Sequence, residues 1–187
     1  PEEFVQRYNF DLSNDLGNLL NRTIAMCNKY FEGNVPAYNG CKNEVDEELE
    51  QFSKNVTEKF EKLFENYEIA NSLQEIWTLV SRTNKYVDET APWVLAKEEN
   101  TEKLEACIYH LIENLRRIAI LISPFMESTS KKIFDELGIN NPELKTWESL
   151  ENYDKIKDTK VISKGEPLFM RLNAEEEIEY IKNKMKN

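Results

Sequence analysis

Glycine and proline are scarce in this 187-residue chain, at five and six residues, which removes the usual material of turn-rich sandwiches and barrels. Histidine occurs once, at His110, so no site that needs two imidazoles can form within the chain. No run of about 18 apolar residues is available to span a bilayer. The start, Pro1-Glu2-Glu3-Phe4, lacks the basic and apolar parts of a signal peptide. A soluble, cytoplasmic protein with no membrane partner is expected. The chain begins without methionine, as either a segment of a longer protein or a processed one would. Its cysteines, Cys27, Cys41 and Cys107, are an odd and widely spaced set, unlike a secreted disulfide framework, so reduced thiols are expected. Positive charge is short as well: 24 Lys and Arg against 35 Asp and Glu leave a net charge of −11. That is the wrong sign for a protein that grips nucleic acid through many phosphate contacts, and DNA is not expected as a partner.

What is present is helical periodicity. Leu12, Leu16, Leu19, Leu20, Met26, Cys27 and Tyr30 recur at helical spacing until Gly33 and Pro36 stop the run. Residues 34–43 read as a connection. A second stripe runs from Val45 through Leu49, Phe52, Val56, Phe60 and Leu63 to Tyr67, and a third from Ile69 through Leu73, Ile76, Trp77 and Val80 to Val87. Ala91-Pro92-Trp93 then breaks the pattern, because proline restricts its predecessor and donates no backbone hydrogen bond. The most apolar helix is predicted over about 102–122, ending before Ser123-Pro124, and a shorter one over 128–137, ending at Gly138. The pattern weakens over 140–158, and a charged last helix is predicted over 174–185 with Ile178, Ile181 and Met185 as its stripe. These readings give an all-α fold: a bundle of about five helices over 1–139, then a mostly irregular C-terminal extension over 140–187 with a short last helix.

Few residues stand out as carriers of chemistry. Counted at about 100° per residue from Leu12, Asn18 and Arg22 fall on the flank of the first helix's apolar stripe, four apart and pointing the same way. A carboxamide beside a forked guanidinium can read the edge of an unpaired base, although such a pair on an arbitrary helix is more often a solvated polar rim. Trp93 after Pro92 at a helix break can serve as a stacking platform, or it can be a corner tryptophan packed in the core. Cys107 and His110 share a helical face but make only half of a metal site with no partners nearby in sequence, so no metal is expected here. Nothing assembles a nucleophile with a base, a paired-carboxylate site or a phosphate loop, so no catalytic residue is expected either.

The strings NDLGNLLNR (14–22), RTNKYVDETAPW (82–93) and SPFMESTSKKI (123–133), in this order, resemble the helical domain of bacterial methionyl-tRNA synthetases, and KGEPLFMR (164–171) resembles that family's closing segment. The resemblance implies a class I synthetase anticodon-binding bundle that follows a catalytic domain and receives the anticodon loop of initiator and elongator methionine tRNAs. On this analogy Asn18 and Arg22 read the cytosine that opens the CAU anticodon, Trp93 stacks on an unpaired base and Pro92 shapes the platform. Asn84, Tyr86 and Asp88 belong to the same motif and hold the corner in shape. Glu127 stands where many family members carry proline, which bears on the local helix start. The family's HIGH-like and KMSKS-like motifs and its zinc-knuckle ligands are absent from this sequence. The chain alone is therefore not expected to be an enzyme or to carry a cofactor. The implied parent is a methionine-tRNA ligase using ATP and magnesium, with zinc as an option. The competing readings are an acidic helical module that binds another protein and a sister synthetase for a different amino acid.

Overall fold

The computed structural model describes residues 2–185, and among these helices dominate and no strand forms. The first helical run is longer than its stripe implies. It starts as α1 (Glu2–Arg7), continues as a π-helical stretch over Tyr8–Gly17, and becomes α2 (Asn18–Phe31). Then come α3 (Glu44–Glu65), α4 (Ile69–Thr90), the short α5 (Pro92–Lys97), α6 (Thr101–Ile122), α7 (Glu127–Leu137) and α8 (Ala174–Lys184). The bundle of about five main helices, α2, α3, α4, α6 and α7, matches the sequence expectation. No helix among the described residues is long and apolar enough to cross a membrane.

α6 lies at the centre, with every residue from Ala106 to Ile122 buried. A helix buried all round must be covered on every side. α2, α3, α4, α5 and α7 all pack against it, while α3 and α4 form a long antiparallel hairpin. Five of its buried residues are polar or charged: His110, Glu113, Asn114, Arg116 and Arg117. Each therefore needs a partner. Glu113 accepts from Arg116 Nε at 2.9 Å and Nη2 at 2.7 Å, and from Arg117 Nε at 2.8 Å. Other guanidinium hydrogens reach into the segment after α7. Arg116 donates to the Leu144 carbonyl at 2.7 Å and the Ser149 hydroxyl at 2.6 Å, and Arg117 to the Asn152 carbonyl at 3.1 Å. The Arg117 guanidinium also lies over the Tyr153 ring, 4.1 Å from its centre. The weak pattern over 140–158 is thus mostly irregular chain fastened to the core by charge.

Beyond it the chain runs back across the bundle. Asn34 and Lys160 make an isolated antiparallel bridge, Ile162 N–H donates to the Glu136 carbonyl at 3.0 Å, and Asn28 donates to the Ile162 carbonyl at 2.9 Å. Gly138 ends α7 with φ at +71°, and a Cβ there would stand 1.9 Å from the Lys160 carbonyl oxygen. Both the left-handed cap and the close approach call for glycine. Further on, Asn9 pairs with the backbone of Leu172 in both directions, at 2.8 and 2.9 Å. These contacts hold the start of the first helical run, which the sequence stripe placed at Leu12. Val5 is its one buried residue in α1, too thin a signal for a helix without its C-terminal partner. Glu127 is the first residue of α7, where an acidic side chain suits the helix dipole as proline would suit the backbone.

α3 and α6 are also joined by an ion pair. His110 Nε2 lies 2.8 Å from Glu50 Oε1. Burial alone would push the imidazole down, but the hydrogen bonds to Glu50 and to the Ala106 carbonyl outweigh it and raise the pKa above 6.5. The same pairing, helped by Tyr38, holds the Glu50 carboxyl low against its own desolvation.

Three expectations follow. Glu113→Ala leaves two buried guanidiniums without their counter-charge and should cost about 3–5 kcal/mol in urea unfolding. Lys131→Ala, which removes an exposed pair with Asp135, should cost under about 0.5 kcal/mol. A raised histidine pKa stabilises fully below the unfolded value and loses that contribution as pH rises through the folded value. The urea midpoint in metal-free buffer should therefore fall as pH climbs above about 6.5, and His110→Gln should flatten that slope.

Candidate nucleic-acid interface

The site is built on α2 and on the far end of α4. Leu16, Leu19, Leu20, Thr23, Ile24 and Cys27 are buried, and Asn18 and Arg22 are exposed on the opposite face. The flank position expected from a uniform count is corrected here to the outer face. A π-helix closes i→i+5 rings and takes more residues per turn than an α-helix, so the ten residues from Tyr8 to Gly17 shift the phase of everything after them. The stretch is held from α4. Trp77 Nε1 donates to the Asp11 carbonyl at 3.0 Å, and Asn84 Nδ2 donates to the Asp15 carbonyl at 3.2 Å. Trp77, one apolar residue among many in the α4 stripe, is thus part of the support beneath Asn18.

α4 carries the other half. Tyr86 is fully buried and donates to Asp46 Oδ1 at 2.6 Å, while Asp46 Oδ2 accepts from the Lys42 N–H at 2.8 Å. Burial, reinforced by Cys107 and Asp46, keeps the Tyr86 phenol protonated far above its ordinary range, so it stays a donor. This bond pins the end of α4 to the beginning of α3. Asp88, half a turn further along and exposed, sits 3.7 Å from Arg22 Nη2. Both members of that pair are open to water, at 44% and 73% side-chain exposure, so the contact is weak and leaves the guanidinium free to change partners.

α4 ends at Ala91, which takes a left-handed conformation, φ 43° and ψ 65°, rare for a residue with a side chain. Strain of this kind costs on the order of 1–3 kcal/mol and persists where its surroundings dictate it. Here the sharp turn lets Pro92 open α5 as a buried first residue, the position in a helix that needs no N–H. The next residue then points outward. Trp93 is 47% exposed and Val94 beside it 40%, a small apolar shelf within one turn of the strained corner. Val94 was not singled out from the sequence, because a valine in a short run carries no periodic signal. Two concavities, of about 750 and 480 Å³, lie elsewhere, and neither is lined by Asn18, Arg22 or Trp93. The fold thus brings Arg22 to Asp88 from sequence positions 66 apart, props Asn18 and Arg22 through Asn84, and sets Trp93 out on the adjoining corner.

Comparison with known proteins identifies the family. Residues 35–186 match the family model described as the anticodon binding domain of methionyl tRNA ligase; α2, with Asn18 and Arg22, lies outside that span. Whole-chain relatives include it. The methionine–tRNA ligase of Bacillus subtilis is 53% identical over 186 residues, 99% of this chain and 28% of that ligase. That of Enterococcus faecalis is 52% identical over the same shares. A solved structure of Mycobacterium tuberculosis methionyl-tRNA synthetase in complex with methionyl-adenylate superposes with a TM-score of 0.81 at 29% identity, covering 91% of this chain and 33% of that one. The chain spans little more than a quarter of the length of these curated relatives. By sequence over nearly its whole length and by fold, it belongs to the family of methionyl-tRNA ligases, as their anticodon-binding domain.

Proposed function

We propose that this domain reads the CAU anticodon of initiator and elongator methionine tRNAs through Asn18, Arg22 and Trp93, with Pro92 setting the platform and Asn84, Tyr86 and Asp88 supporting it. The observation that carries the reading is that Arg22, on the same exposed face of α2 as Asn18, lies 3.7 Å from Asp88 on α4, five residues before the half-exposed Trp93 at the start of α5. Cytosine offers two acceptors and one amino donor on its pairing edge. A guanidinium fork supplies two donors and an amide oxygen one acceptor, whereas uracil presents a donor and an acceptor where cytosine has the reverse. The Trp93 face supplies sequence-tolerant stacking. Releasing Arg22 from its exposed contact with Asp88 costs little. A net charge of −11 opposes broad phosphate contact, so affinity of the domain alone is weak and falls with salt.

The longer protein implied by the relatives attaches methionine to tRNA in the cytoplasm, using ATP and magnesium in a catalytic domain, with zinc held there if its knuckle is present. In this reading residues 1–139 are the anticodon-binding bundle, and residues 140–187 are an extension that packs on the bundle or on that catalytic domain. Family membership favours this reading over an acidic protein-interaction module.

Binding of the chain to a CAU anticodon stem-loop and to one with the first base changed to uracil, at low fixed salt, tests the proposal. Trp93→Ala should weaken both by about 5- to 150-fold, the loss of about 1–3 kcal/mol of stacking. Arg22→Lys keeps the charge but not the fork, and should erase the preference for cytosine while sparing much of the affinity. Equal binding of both loops by the unaltered chain at all concentrations up to millimolar would refute base reading by this face.

A further inference from the structure

Away from the anticodon face, three metal-binding side chains from separate elements converge. Cys41 comes from the connection between α2 and α3, Glu50 from α3 and His110 from α6. One ligand atom from each lies within 4.8 Å of the others. The Cys41 thiol is 3.9 Å from His110 Nε2, and that nitrogen is 2.8 Å from Glu50 Oε1. The sequence reading paired His110 with Cys107, its neighbour on the helix. The fold instead turns Cys107 towards Thr90, 3.2 Å away, and brings in Cys41 from 69 residues earlier.

The orientation of the imidazole is settled by its other nitrogen. His110 Nδ1 lies 2.7 Å from the Ala106 carbonyl, and a carbonyl only accepts, so Nδ1 carries hydrogen and Nε2 faces the cluster. A backbone carbonyl on the far nitrogen is how metal-ligating histidines are commonly held. Three tyrosine rings fix the plane: Tyr153 at 5.7 Å and Tyr38 and Tyr86 at 6.1 Å between centres. Tyr38 also donates to Glu50 Oε1 at 2.9 Å, the kind of outer bond that orients a ligating carboxylate.

Spacing suits a small ion. With metal bonds of about 2.3 Å to sulfur and about 2.0–2.1 Å to nitrogen and oxygen, tetrahedral ligands stand about 3.6 Å apart for S and N, and about 3.4 Å apart for N and O. The first separation, 3.9 Å, must close by about 0.3 Å, the second needs Glu50 to withdraw by about 0.6 Å, and sulfur and carboxylate, within 4.8 Å of each other, must settle near about 3.6 Å, small motions for partly exposed side chains. Tyr38, Cys41 and Glu50 also line an open pocket of about 480 Å³, which gives an ion a way in and leaves room for a water in the fourth position. Burial, Glu50, Asp46 and Glu47 push the Cys41 thiol up to about 12. The same negative surroundings attract a cation, whose charge would release to solvent both the thiol proton and the Nε2 proton that His110 shares with Glu50.

We propose that Cys41, Glu50 and His110 form a binding site for one borderline-soft divalent ion, Zn²⁺ in preference to Mg²⁺ or Ca²⁺, completed by water. The mix of thiolate, imidazole and a single carboxylate selects against hard oxygen-seeking ions. Such an ion ties the connection over 34–43 to α3 and α6, next to the Asp46–Tyr86 bond that sets the end of α4.

The test uses the chain stripped with a chelator, then titrated with Co²⁺ as a spectroscopic probe and with Zn²⁺ in competition. One equivalent of Co²⁺ should bind with thiolate-to-metal charge-transfer absorption and tetrahedral d–d bands, and Zn²⁺ should remove both. Cys41→Ser should abolish the charge-transfer band and weaken binding more than about 100-fold, beyond the loss typical of an outer-shell change. Glu50→Gln should weaken binding while keeping the band, and Tyr38→Phe should cost about 10-fold. No stoichiometric binding up to millimolar metal, a charge-transfer band that survives Cys41→Ser, or an affinity unchanged by Glu50→Gln would each overturn the site.

Discussion

Burying a helix on all sides while it carries Glu113, Arg116 and Arg117 is the constraint on which the rest of this structure depends. An apolar α6 could be sheathed by any amphipathic helices. A charged one needs partners at fixed places, and it finds them in each other and in the backbone of 144–152. That requirement turns an otherwise patternless segment into part of the fold. From there the chain is close enough to cross α2 and α7 and to tie down the first helical run at Asn9. Isolated buried charge would be ruinous, and the pairing makes it a source of register instead.

The proposed recognition face inherits its geometry from that sheath. α2 and α4 cover neighbouring flanks of α6, and their mutual placement is fixed by Trp77 and Asn84 donating to carbonyls of the π-helical stretch. Tyr86 on Asp46 fixes the end of α4 from the other side. Only the last step, the left-handed Ala91, is strained, and it is this step that sends Pro92 in and Trp93 out. Rigid support beneath and weakly held groups on top suit the proposed role, since such a face accepts an unpaired base without reordering itself.

Much of this was legible beforehand. The stripes of α3, α4, α6 and α7 are long and regular, so their ends fall within a few residues of expectation. Proline and glycine mark the breaks at Ala91, Ser123 and Gly138 for local reasons that need no tertiary context. α1 and the π-helical stretch were not legible, because they rest on contacts from residues 169–172 and on Trp77. The outward phase of Asn18 and Arg22 differs from a uniform helical count for the same reason. Neither the ties of Arg116 and Arg117 nor the approach of Cys41 to His110 follows from spacing, since they join residues 28 to 69 positions apart. The assignment of Asn18, Arg22, Pro92 and Trp93 rested on likeness between motifs, and their residue types alone would have suggested a polar rim and a corner tryptophan.

The most direct test of the central claim is a residue-by-residue map of amide chemical shifts in the labelled chain as a CAU anticodon stem-loop is added. The account predicts that changes concentrate at 15–22, at 84–95 and on the Trp93 indole, leaving 34–41 and 154–160 unmoved. Changes centred on those latter segments, or on α8, with the α2–α4 seam silent, would contradict it.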